Sequence, residues 1–263
     1  MSFLLDAEIT KQEMIGPGHY RLNLLAPDIA AAARPGQFLQ VRCGSTLDPF
    51  LRRPISINAV DRENGEVALF YRVAGRGTAL LTQKAQGEPV SLLGPLGRGF
   101  SLPKSQARVA VVSGGIGIAP LYFLLLELAV FGVSADVFLG AATAGQLFFT
   151  KEIKGLGHRV EPATDDGSAG YHGLVTDLFA ENMARSSEYA MIYGCGPGGM
   201  QRRLAEIIKE FGVSGELSLE ERMGCGVGAC LSCVCKTGSE GSIQYRRVCT
   251  EGPVFPAGEV VWA

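Results

Sequence analysis

Along the first hundred residues the apolar positions come in short runs, such as "FLQVRC", "VALFYRV" and "PVSLL", with Gly, Pro or Asn turns between them. Runs of this length at this spacing predict an antiparallel β-barrel. The texture changes at Ala107. From there to about Leu219, "RVAVVSGG" leads into "IAPLYFLLLELAVFG", and "ADVFLGA", "GLVTDLFAENMA", "YAMIYGCG" and "GGMQRRLAEIIKEFG" follow. Strand-length and helix-length apolar patterns in alternation predict a doubly wound parallel sheet. A second change comes near Glu220, after which the chain is rich in Gly and Cys and too short to own a core without a metal staple. The expected fold is therefore α/β plus all-β, with a barrel over residues 1–100, a doubly wound domain over 101–219 and a small appendage over 220–263.

One stretch imitates a membrane span, because Val109 to Leu126 contains no charged residue. Gly114, Gly115, Gly117 and Pro120 interrupt it, and basic anchors are missing beyond Glu127. A buried strand, a turn and a helix explain the same hydropathy.

Composition adds limits. At 263 residues and 47% hydrophobic content the chain can bury two or three cores, which excludes a disordered protein. Its 24 basic and 26 acidic residues give a net charge of -2 with no long block of either sign, so neither nucleic acid nor an anionic membrane is indicated as a partner. The amino end, "MSFLLDAEIT", has no basic region and meets Asp6 after three consecutive apolar residues. That is a poor secretory signal, and a cytoplasmic, thiol-reducing location is expected. Cysteines clustered there are a metal or redox site sooner than a disulfide framework.

Such a cluster exists. Four of the seven cysteines fall within residues 225–235, in "MGCGVGACLSCVC". Cys225, Cys230, Cys233 and Cys249 give C-x4-C-x2-C and a fourth cysteine after fifteen intervening residues, the plant-type ligand pattern of a 2Fe-2S cluster. Gly224, Gly226 and Gly228 let the backbone curl so that amides approach the cluster sulfurs. Zinc held by the same four thiolates is the alternative. Cys43 and Cys235 read as small, partly buried side chains.

Two further motifs belong to nucleotides. In "LRRPISI", Arg52 and Arg53 are candidates for a diphosphate and Ser56 for a ring nitrogen; twenty residues on, in "VAGRGTALL", Gly75, Gly77 and Thr78 open a helix-like run of the kind that receives phosphate. Together they suggest a flavin nucleotide. In "VVSGGIGIAPL", Gly114, Gly115 and Gly117 follow a strand and open a helix, as a dinucleotide cradle does, although Pro120 stands where the regular fingerprint has Gly or Ala. "YGCGPGGM" repeats the arrangement with Gly194, Cys195, Gly196 and Pro197.

These motifs, with "TDDGS", resemble the ferredoxin reductase superfamily over essentially the whole chain, and within it the electron transfer subunits of NAD-dependent dihydroorotate dehydrogenase. "CGVGACLSCVC" is the most specific element of the likeness. The broader flavin motif is R-x-Y-S, and Ile55 replaces its tyrosine, so a stacked Tyr ring is absent there. The resemblance implies FAD bound by Arg53, Pro54, Ile55, Ser56, by Phe70, Tyr71 and Arg72, and by Gly77 and Thr78. It implies NAD at Gly114, Gly115, Gly117 and Pro120 and at Cys195, Gly196 and Pro197, with Ser56 and Cys195 beside the hydride transfer. For Asp165 to Ser168 a polar turn and a nucleotide contact are equally good readings.

The implied function is passage of electrons from an FMN-containing dihydroorotate dehydrogenase catalytic subunit, two copies of each chain, through 2Fe-2S and FAD to NAD. No acid, base or nucleophile is needed on this chain, and His19, His158 and His172 are widely dispersed, as surface or core residues would be. The alternative enzyme is a reductase component running from NAD(P)H to a ferredoxin, a sulfur compound or an oxygenase; a different class is a zinc-stapled, non-redox binding protein.

Overall fold

The computed structural model describes residues 1–44, 46–103, 107–185, 188–239 and 241–262. Six strands close the barrel: β1 (Phe3–Gly16), β2 (His19–Leu25), β3 (Phe38–Val41), β4 (Arg53–Asp61), β5 (Glu66–Arg72) and β6 (Pro89–Leu96), in the order β1-β2-β5-β4-β3-β6, each antiparallel to its neighbours. Two short helices, α1 (Pro27–Ala32) and α2 (Arg76–Leu81), sit in its connections. Alternate side chains point inward, and Ile9, Leu22, Leu39, Leu69 and Leu92 fill the interior with no exposed surface. Each contributes about 1.5–3 kcal/mol by leaving water.

The next part alternates strand and helix: β7 (Val109–Gly114), α3 (Ile118–Val130), β8 (Ala135–Ala141), α4 (Thr150–Gly155), β9 (Arg159–Thr164), β10 (Tyr171–His172), α5 (Val175–Arg185), β11 (Met191–Cys195), α6 (Gly198–Glu210) and β12 (Gly215–Ser218). The stretch that imitates a membrane span is β7 and the start of α3, and among the described residues no helix is long and apolar enough to cross a membrane. The sheet runs β10-β9-β8-β7-β11-β12, all parallel. Its order reverses between β7 and β11, and ligands bind at the carboxyl ends of strands flanking such a reversal.

The carboxyl-terminal segment is less separate than its composition suggests. It forms a hairpin, β13 (Val234–Ser239) with β14 (Ser242–Arg247), and then β15 (Val254–Pro256) returns to pair antiparallel with β12 as the seventh strand of the sheet. Val248, Cys233, Cys249 and Phe255 are buried in one cluster with Phe138, Leu204 and Ile207 of the sheet and its helices. The segment thus shares a core that a piece so short could not build alone. Between barrel and sheet, α3 packs on β4, and the buried Asn58 Nδ2 donates to the Ala119 carbonyl at 3.0 Å.

Candidate functional site

A cavity of about 300 Å³ opens where barrel, sheet and carboxyl-terminal segment meet. The barrel supplies Arg53, Pro54, Ile55 and Ser56 from the start of β4, and Phe70, Tyr71 and Arg72 from the end of β5. Phe70 and Tyr71 are buried, and Tyr71 is anchored by donating its hydroxyl proton to Gln12 at 3.2 Å. Ile55 is 6% exposed and gives this wall an aliphatic surface.

The two adjacent arginines part company. Arg53 lies against Gly77 in the first turn of α2, so closely that a Cβ there would stand 2.8 Å from its Nε. Arg52 instead donates to the carbonyls of Gln40 at 3.3 Å and Ser91 at 2.7 Å and to the Ser91 hydroxyl at 3.0 Å. Arg53 also donates, from Nη1 to the Leu51 carbonyl at 2.8 Å and the Arg52 carbonyl at 3.3 Å, but it lines the cavity and Arg52 does not, so the expectation that both could meet a diphosphate is corrected to Arg53 alone. Thr78 also turns inward, its Oγ1 accepting from the amides of Ala74 and Gly75 and donating to the Gly75 carbonyl. Its hydroxyl shapes the turn beside Arg53, while its side chain remains part of the cavity wall.

Opposite the barrel stands the carboxyl edge of the sheet, represented by Ile116, Ala119, Cys195 and Ser218. The turns after β7 and β11 are packed backbone to backbone. A Cβ on Gly117 would fall on the Cys195 carbonyl, and one on Gly196 would stand 3.0 Å from the Gly114 nitrogen. Gly115 has φ of +53°, a left-handed conformation in which glycine carries no penalty. Gly114, Gly115, Gly117, Gly196 and Pro197 thus frame the switch point, while Pro120 is buried in the first turn of α3, where proline costs no hydrogen bond.

The cavity's wall from the carboxyl-terminal side was not visible to motif reading: Ser218, Leu219, Glu220, Glu221, Met223 and Pro253. Burial pushes the Cys195 thiol above its usual range, the nearby Glu220 adds to this, and a hydrogen bond with Ser218 opposes it. Cavity walls likewise raise the Glu220 carboxyl, with Arg72 pulling the other way, although the residue keeps an open face to solvent. None of the histidines joins the site. His158 accepts from the Ala135 amide and contacts the Leu125 carbonyl, His19 stacks on Phe70 and lies tilted against Phe148, and His172 is exposed.

Two residues beyond Met223 the cysteine loop begins. Its sulfurs form two pairs. The amides of Cys225 and Cys230 each donate to the other's Sγ at 3.4 Å, and the Val227 amide donates to Cys225 Sγ at 3.4 Å. Cys233 and Cys249 form the second pair, in side-chain contact and buried in the shared core. The Cys225 amide, then the Ser232 hydroxyl at 3.2 Å, pull the Cys230 thiol down to about 6. Burial, then Cys233, push Cys249 up to about 11. Among the described residues no three His, Cys, Asp or Glu side chains gather closely enough to hold a single ion. Two thiol pairs at the ends of a curled, amide-rich loop suit a two-iron centre, which takes one pair at each iron. Cys235 is a half-buried member of β13, and all seven cysteines are free thiols.

Comparison with known proteins agrees with this layout. The family model for the iron-sulfur cluster binding domain of dihydroorotate dehydrogenase B matches residues 220–261, and that for the oxidoreductase NAD-binding domain matches 111–206. A protein of Desulforamulus reducens named dihydroorotate dehydrogenase B (NAD(+)), electron transfer subunit, is 48% identical over 262 residues, covering 100% of each chain. The chain belongs to this family of electron transfer subunits. A second member, from Bacillus caldolyticus, is 45% identical over 96% of each chain. A solved NADH-dependent reduced ferredoxin-NADP oxidoreductase, studied for flavin-based electron bifurcation, superposes with a TM-score of 0.85 at 29% identity, over 97% of this chain and 90% of that one. The ferredoxin NADP+ reductase of Neisseria gonorrhoeae with bound FAD and NADP shares the fold at a TM-score of 0.67 and 18% identity, over 80% of this chain and 92% of that one. The electron transfer subunit family sets aside the zinc-stapled binding protein: this chain is an oxidoreductase with the ferredoxin reductase fold.

Proposed function

We propose that this chain passes electrons from an FMN-containing, dihydroorotate-oxidising subunit to NAD, using a 2Fe-2S cluster on Cys225, Cys230, Cys233 and Cys249 and an FAD on the barrel. The observation that carries the proposal is one cavity lined by the flavin motif of β4 and β5, by Cys195 at the nucleotide switch point, and by Met223 two residues before the first cysteine. Residues 1–100 are then the FAD-binding part, 101–219 the NAD-binding part and 220–263 the cluster-binding part.

When bound, FAD supplies the exchange between single electrons and a hydride that neither a 2Fe-2S cluster nor nicotinamide performs alone. The chain's own residues bind and orient. Arg53, held against the first turn of α2, offers a guanidinium and helix-end amides to a diphosphate. Ser56 presents a hydroxyl, and Phe70 with Ile55 excludes water from one wall. The glycine turns at 114–117 and 194–196 allow a second nucleotide close to backbone, and Cys195 and Ser218 face the same space from the sheet. Relatives at 48% and 45% identity carry the dihydroorotate dehydrogenase name, whereas the reductase neighbours stand at 29% and 18%, which favours this reading over a reductase running from NAD(P)H to another acceptor. A cytoplasmic location and a complex with two copies of each subunit belong to the same proposal.

The test is reconstitution. The purified chain alone is expected to oxidise NADH with artificial dyes and to form no orotate from dihydroorotate; adding the partner restores NAD-linked turnover. Orotate formation by the chain alone overturns the proposal.

NAD is expected to be preferred over NADP. The loop after β8, Ala142–Gln146, holds no cation, and the Asp165–Ser168 turn folds against it, with Asp165 and Asp166 donating their amides to Ala141 and Ala142 and Ser168 Oγ accepting from Ala144. Two carboxylates beside this loop repel a 2'-phosphate. Steady-state dye reduction with each cofactor checks this, and equal kcat/KM values would contradict it.

A further inference from the structure

Within β3 the side chains divide by face. Leu39 and Val41 point into the barrel core, while Phe38 packs in the cluster that contains Cys233 and Cys249. Gln40 shares the Phe38 face, has no exposed surface, and stands where an aliphatic residue would satisfy packing. Its carboxamide is nonetheless poorly served. Oε1 has no hydrogen-bond partner among the described residues, and Nε2 reaches only the thioether sulfur of Met223 at 4.0 Å, a weak acceptor. Burying such a group without a good partner is unfavourable, which points to a partner for it.

Its surroundings say which. The cysteine loop is laid directly on this amide: a Cβ on Gly226 would stand 2.5 Å from Nε2 and 2.6 Å from Cγ, and Gly226 holds φ at +74°. Only a glycine fits there, one residue after Cys225. On the other side, Met223 and the β4 partner of Gln40, Pro54, both line the flavin-side cavity. A wholly buried primary amide therefore sits between the cavity and the Cys225 end of the loop. An anionic sulfur centre is a far better acceptor for an amide N–H than a thioether.

We propose that Gln40 is a positioning residue for electron transfer, its side-chain amide donating a hydrogen bond to the sulfur centre at the Cys225 turn and thereby raising the reduction potential of the cluster. This rests on the iron-sulfur reading of the four cysteines. A donor stabilises the more negative, reduced state more than the oxidised one, so its removal lowers the potential.

The test uses the flavin- and cluster-loaded protein with its partner. Gln40→Leu keeps the volume and removes the donor. Full iron content, an unchanged flavin potential and a cluster potential displaced to more negative values are expected, with the reduced cluster-to-flavin ratio falling about tenfold. An unmoved cluster potential in the fully loaded variant overturns the proposal. Independently of any variant, wild-type protein grown with side-chain 15N-labelled glutamine is expected to show a nitrogen coupling to the reduced cluster in pulsed electron paramagnetic resonance. A cluster signal without that coupling overturns the role of Gln40, while absence of iron and of any cluster signal instead overturns the reading on which it rests.

Discussion

Serine in place of Cys225, Cys230, Cys233 or Cys249 will remove the iron and bring NAD-linked dihydroorotate oxidation in the reconstituted complex to the assay background, whereas Cys235→Ser will keep both iron and turnover. NADH oxidation with dyes will survive in all five, because that path needs only the flavin and nucleotide walls of the cavity. The two cysteine pairs will also differ in a way that does not involve metal. Cys233 and Cys249 are 2% and 1% exposed within the sheet's core, so a serine hydroxyl there is buried without a designed partner. A loss of about 1–3 kcal/mol in stability is expected at these two positions. Cys225 and Cys230 lie in the accessible half of the loop, and serine there will leave the unfolding midpoint of the metal-free protein nearly unchanged. Iron and sulfide analysis with thermal unfolding of each variant decides the matter. Retention of the cluster in Cys249→Ser together with its loss in Cys235→Ser would reverse the ligand assignment.

Gly117→Ala will damage the nucleotide side as severely, through backbone rather than chemistry. The added Cβ would fall on the Cys195 carbonyl oxygen, 2.5 Å from its carbon and 2.8 Å from the Gly196 nitrogen. All three are main-chain atoms of a neighbouring strand end, which cannot swing aside as a side chain does. Overpacking of this kind costs about 1–3 kcal/mol. The displacement also moves Cys195 relative to Ser56 across the cavity, and misplacement by about 1 Å reduces rates by about a hundredfold. The expected result is a hundredfold fall in kcat/KM for NADH with dyes while bound FAD, held by the barrel, stays at full occupancy. Gly155→Ala is the control: its Cβ meets nothing within 4 Å at the end of α4, and it will leave activity unchanged. Wild-type kcat/KM in Gly117→Ala would show that the two turns are not packed as described.

Much of this was legible along the chain because it is local. The C-x4-C-x2-C spacing brings three thiols to one loop with little help from elsewhere, and the periodicities of "VALFYRV" and "GGMQRRLAEIIKEFG" specify β5 and α6 by which positions can be buried. The glycine turns after β7 and β11 announce themselves because only glycine tolerates their close approach. Pairing and packing at long range decided the remainder. Arg52 and Arg53 are chemically identical neighbours, and only the position of β4 between β3 and β5, with β6 beyond β3, sends one to the carbonyls of Gln40 and Ser91 and leaves the other beside Gly77. Ser218, Glu220 and Met223 carry no motif, since they enter the cavity only because β12 sits beside β11 and the chain leaving it crosses the barrel. The division of four cysteines into an accessible and a buried pair follows from β15 joining the sheet edge, which draws Cys249 into a core shared with Phe138 and Leu204. Spacing determines which thiols are available to iron; burial by residues more than a hundred positions away determines the environment each of them has, because solvent exclusion is a property of the packed surface and not of the order of residues.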